Sequence, residues 1–78
     1  MWWYYKLLEG SNRIKIYQYS RENKDLDGLI RFDSESGVKI MKPSAIDKES
    51  IWLQQKAVEH FYTVIAENFP DEREICCG

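Results

Sequence analysis

The side chains able to do chemistry are few and scattered along the chain. His60 is the single histidine, and no nucleophile or orienting carboxylate stands at a recognisable spacing from it. Glu59, Thr63 and Glu67 share the polar side of a segment with helical period. Asp33 is the one carboxylate that alternation places on an open sheet face, where acid–base work calls for a pair. No glycine-rich phosphate loop is present. Cys76 and Cys77 are adjacent, so they cannot form a disulfide framework. A metal needs about three or four ligands, and His60 is the only other soft donor. These counts point to a non-enzyme without cofactor or metal, with the cysteines incidental to a terminal tail and a cytosolic compartment.

One loop imitates a metal site. Asn23-Lys24-Asp25-Leu26-Asp27-Gly28-Leu29-Ile30 resembles the first eight positions of an EF-hand loop, with oxygen ligands at alternate residues and glycine at the sharp turn. Position twelve, which should be a bidentate glutamate, is Ser34, and strands flank the loop where helices belong. The expected role is a solvated turn.

The elements that must position these residues read as strands, then a helix. Of 78 residues, 14% are aromatic and 44% hydrophobic, which suits a small domain that fills its core with rings. Alternation predicts strands over Trp2–Leu8, Arg13–Ser20, Gly28–Asp33 and Val38–Lys42, joined by Glu9–Asn12, the polar loop Arg21–Asp27 and Ser34–Gly37. Pro43 breaks the pattern. From Asp47 to Asn68 the spacing of Ile51, Val58, Phe61, Tyr62, Ile65 and Phe69 predicts a helix, capped by Ser44 or Asp47 and stopped before Pro70. Trp52 and Leu53 lie off that stripe, and the expectation is that they tuck under Pro43–Ile46 or against the first strand. The opening MWWYYKLL is too short and too charged to be a signal peptide or a membrane span.

The expected fold class is therefore α+β: a four-stranded antiparallel meander packed on one face by a single long C-terminal helix. Residues 1–70 form the domain and 71–78 an acidic tail. The order of four strands and a helix is similar to that of PUR-type repeats and Whirly-type domains, with no motif of either family matched.

Alternation also sorts the sheet faces. Ile14, Ile16, Ile30, Phe32, Val38 and Ile40 are expected beneath the helix; from the first strand either Trp3, Tyr5 and Leu7 or Trp2, Tyr4 and Leu8 point inward, the former favoured because it places Lys6 on the open face. The open face then carries Trp2, Tyr4, Lys6, Arg13, Lys15, Tyr17, Tyr19, Arg31, Lys39 and Met41. Residues 1–42 hold eight basic and six acidic residues, whereas residues 43–78 hold three and seven. A basic, aromatic face suits a protein partner or a second copy of the chain. Single-stranded nucleic acid is the alternative, since rings stack on bases and cations track phosphates. A net charge of −2 and a pI near 5.3 favour the protein partner.

Overall fold

The structure is a computed structural model and describes Met1–Cys76; Cys77 and Gly78, and with them the expected thiol pair, lie outside the described residues. The elements are β1 (Trp2–Gly10), β2 (Ile14–Arg21), β3 (Gly28–Asp33), β4 (Gly37–Lys42), a 3-10 turn (Ala45–Asp47), α1 (Ile51–Ala66) and β5 (Glu72–Cys76). All neighbouring strands are antiparallel, in the order β4-β3-β2-β1-β5. The α+β class, the meander and the single helix match the expectation; the sheet has five strands, not four.

The fifth strand is the expected tail. After α1, Asn68 and Phe69 adopt left-handed backbone angles (φ 63° and 57°), and their N–H groups donate to Ile65 O and Val64 O at 3.0 Å. This closes the helix without glycine, and Pro70 prevents its resumption. The chain then reverses along the free edge of β1, pairing Trp3 with Ile75 and Lys6 with Glu72. Ile75 is the anchor, buried in the core.

The start of α1 also differs from expectation. Ser50 Oγ, not Ser44 or Asp47, accepts the Leu53 N–H at 3.1 Å. Asp47 is wholly buried and pairs with Arg21 Nε at 2.8 Å, tying the 3-10 turn to β2. The buried helix line is Ala57, Phe61 and Val64, leaving Ile51 and Tyr62 exposed. Trp52 is exposed as well, while Leu53 packs against the core. His60 is half-buried with its ring 5.5 Å from that of Trp3.

The larger correction concerns β2. Tyr17 and Tyr19 lie beneath α1, fully buried, whereas Ile14 and Ile16 are half-buried on the open face. Register decides this, because directly paired residues share a face. Tyr17 is opposite Leu7 and Ile30, and Tyr19 is opposite Tyr5 and Gly28. Long rings fit because the helix offers Ala57 and Val64 above them, with Phe61 packed edge-on to Tyr17 at 5.2 Å. Their polar tips are also satisfied. Tyr17 Oη donates to Pro70 O at 2.6 Å, Tyr5 Oη to Ala57 O at 2.6 Å, and Tyr19 Oη accepts the Ser44 N–H at 3.1 Å. Gly28 is required opposite Tyr19, since a Cβ there would stand 2.4 Å from the ring.

Candidate protein-binding site

Five strands at about 4.8 Å spacing and roughly 20 Å length give a face of about 24 by 20 Å with no helix over it. Of the ten expected site residues, Trp2, Tyr4, Lys6, Arg31, Lys39 and Met41 belong to this side. Tyr17 and Tyr19 are core. Lys15 shares the helix side with Phe32, its Nζ lying 5.3 Å from the Phe69 ring and bonded to Ser11 O. Arg13 precedes β2 and reaches Asp33 at 3.3 Å and Glu35 at 3.0 Å.

Two irregularities, unforeseen from alternation, enrich the face with apolar groups. The β1–β2 register shifts between Leu7 and Glu9, making Leu8 an inserted residue; the β3–β4 register shifts between Leu29 and Ile30, inserting Met41. Bulges re-aim side chains, and here both inserted residues are 53% exposed. Leu8, Ile14 and Ile16 cluster towards the end of the sheet where the β1–β2 turn lies, and Leu29 and Met41 continue the apolar band diagonally across the face towards the opposite end. At the other end the Glu22–Asp27 loop folds over Tyr4. Lys24 Nζ sits 5.5 Å from the Tyr4 ring and 3.5 Å from Glu74. A cleft of about 200 Å³ remains there, lined by Tyr4, Lys6, Lys24, Leu26, Glu72 and Glu74 among others.

β5 changes the electrostatics of the face. Lys6 meets Glu72 at 4.0 Å, Lys24 meets Glu74, and Arg31 meets Asp33 at 3.3 Å. Asp33 is buried at the β3–β4 hairpin. The Glu35 N–H, then the Arg13 guanidinium, hold its carboxyl below the usual carboxylate range. The acids of β5 were invisible as face residues while residues 71–78 read as a tail.

The remaining chemistry-bearing residues are occupied by structural work. Asp27 accepts from Ser44 Oγ at 2.7 Å and from the Ala45 N–H at 2.9 Å, bonds that lower its pKa, so both oxygens are turned towards protein donors. Asn23 Oδ1 accepts the Asp25 N–H. Among the described residues no cluster of His, Cys, Asp and Glu is arranged to hold a metal. Cys76 is an exposed free thiol opposite Trp2. No helix is long and apolar enough to cross a membrane.

No protein-family model, curated protein or solved structure matches this chain.

Proposed function

We propose that the chain is a small non-catalytic protein-interaction module, and that its uncovered sheet face is the contact surface, occupied by a second copy of itself. The observation that carries this reading is the pairing of charge on that face. Lys6 and Arg31 have acidic partners on the same sheet, which leaves the apolar band of Leu8, Ile14, Ile16, Leu29 and Met41, bordered by Lys39 and Lys42 at the β4 edge, as the surface without a partner among the described residues. Burial of such groups drives association, and aromatic residues such as Trp2 at the rim supply anchors. Two faces brought together about a two-fold axis bury the same band on both copies. The cysteine usage, an adjacent pair with no framework, supports a cytosolic setting.

Sedimentation equilibrium tests this directly. The wild-type chain is expected to dimerise, and Leu8→Glu with Met41→Glu to remain monomeric and folded, because both positions are exposed. A monomer at all concentrations, with oligonucleotide binding that Arg31→Ala and Lys39→Ala abolish, would instead establish the nucleic-acid alternative.

A further inference from the structure

A second surface lies at the outer edge of the sheet, where β4 carries Met41 of the open-face band. β4 ends the sheet, so its outer backbone groups have no neighbouring strand among the described residues. Beside that edge, α1 leaves a groove of about 180 Å³ lined by Val38, Lys39, Ile40, Ile51, Gln54, Gln55 and Val58. Ile51, in the first turn of α1, is 68% exposed, the most exposed of the large apolar side chains. Two lysines mark the same edge. Lys39 faces the open side with Arg31, and Lys42 pairs with Leu29 beyond the bulge. Neither ammonium takes part in an ion pair among the described residues, whereas Lys6, Lys24 and Lys56 all do. Asp27, the carboxylate that feels Lys42, is spent on Ser44 and Ala45.

We propose that the β4 edge binds an extended segment of another protein in which apolar and acidic residues alternate, adding it to the sheet as a sixth strand. Strand addition draws its affinity from main-chain hydrogen bonds and its specificity from the places where alternate side chains fall. An added strand sends every second side chain to the helix side, into the groove formed by Val38, Ile40 and Ile51. The intervening side chains fall on the open side, where Lys39 has no ion pair among the described residues and Lys42 feels only Asp27, whose oxygens are bonded to Ser44 and Ala45. Charge thus selects acids at those positions and sets the register. It also argues against a second copy of β4 as the occupant. Any pairing of β4 with itself gathers Lys39 and Lys42 of both copies on one short seam, and like charges across strands are destabilising. A nucleic acid cannot supply the strand's N–H and C=O ladder.

The test uses the full chain, labelled with ¹⁵N, at a concentration where the open-face contact is dissociated. It is titrated with a blocked five-residue peptide of alternating valine and glutamate, and separately with its valine–lysine counterpart. The acidic peptide is expected to shift the amides of residues 37–42 and of Ile51 and Gln54, and the lysine peptide to bind at least about tenfold more weakly. Lys39→Glu with Lys42→Glu should reverse that preference, while Leu8→Glu should leave it intact. Equal binding of the two peptides, shifts confined to the open face, or no shift at millimolar peptide would each overturn the proposal. So would amides of Ile51 and Gln54, which line the groove and lie off the open face, that move on dilution without peptide, since the occupant of the groove would then be a second copy. None of these outcomes bears on the open-face dimer, which is read from dilution shifts at Trp2, Ile16 and Leu29.

Discussion

Gly28 shows how one residue type fixes the packing of the two tyrosines that sequence reasoning placed outside. Its missing side chain is the space that the Tyr19 ring occupies, and a Cβ there would also stand 2.8 Å from the Ser44 backbone nitrogen. Gly28→Ala must displace a fully buried ring and the Tyr19–Ser44 hydrogen bond together. The expected cost is about 1–3 kcal/mol, as for overpacking elsewhere, measured by urea unfolding. Tyr17 makes a second prediction at this scale. Burial, with Asp71 adding, pushes its phenol up to about 12, whereas the unfolded chain releases that proton near 10. Between those values the unfolded state binds fewer protons, so stability falls as pH rises. It is complete below pH 10 and is lost as pH approaches 12. Tyrosinate absorbance and circular dichroism should therefore change together in that window. Tyr17→Phe should be weaker at neutral pH by about 1 kcal/mol, for the lost bond to Pro70, yet show a shallower alkaline decline.

At the scale of elements, the segment with the most to prove is β5. Residues 71–78 have no period and begin with acids, so nothing in their pattern distinguishes a strand from a tail. What makes them a strand is the vacant edge of β1, together with a helix end that turns the chain back along it. Ile75→Ala is expected to cost about 2–4 kcal/mol, the range for a large-to-small change in a core, whereas a residue in a loose tail would cost nothing measurable. Chemical denaturation separates the two. The same comparison explains what was legible in the sequence. Local punctuation was readable: Gly28–Asp33 is a strand over those very residues, and Pro43 and Pro70 bracket the helix as expected. The inward side of β1 was only half readable: both sides carry large apolar residues, and Lys6 alone favoured the observed burial of Trp3 and Tyr5. Along β2, hydrophobicity ranked isoleucine above tyrosine and chose the wrong side. The actual choice depends on Ala57, a small residue 40 positions away, and on hydroxyls finding Pro70 and Ser44. Trp2, Tyr4, Lys6, Arg31, Lys39 and Met41 lie on the sheet side where alternation placed them, since the error on β2 left β1, β3 and β4 untouched. Met41 was expected on the open face, but the bulges that insert it and Leu8 were not, because a bulge is a property of two strands and alternation describes one.

For the whole molecule, the decisive property is how charge is distributed once the strands are assembled. Read along the chain, residues 1–42 are net positive and residues 43–78 net negative, which suggests a basic sheet and an acidic helix side. Folding mixes them: Glu72 and Glu74 come from the acidic half and lie beside Lys6 and Lys24 on the sheet. These pairs are exposed and worth little individually, yet they offset Lys6 and Lys24 and leave Lys39 and Lys42 at the β4 edge as the cations without an ion pair on that side among the described residues. Association driven by the apolar band should then respond weakly to salt, its dissociation constant changing by less than about threefold from low to high ionic strength. Phosphate binding would instead weaken by orders of magnitude over that range, because each neutralised phosphate releases counterions. Sedimentation at two ionic strengths reads the first quantity, and fluorescence anisotropy of a labelled oligonucleotide reads the second. The assembled face calls for a salt-insensitive dimer and no anisotropy change at low salt. Glu72→Gln with Glu74→Gln sharpens the comparison by freeing Lys6 and Lys24. If oligonucleotide binding emerges only in that variant, the acids of β5 are what keep this sheet a protein-binding surface.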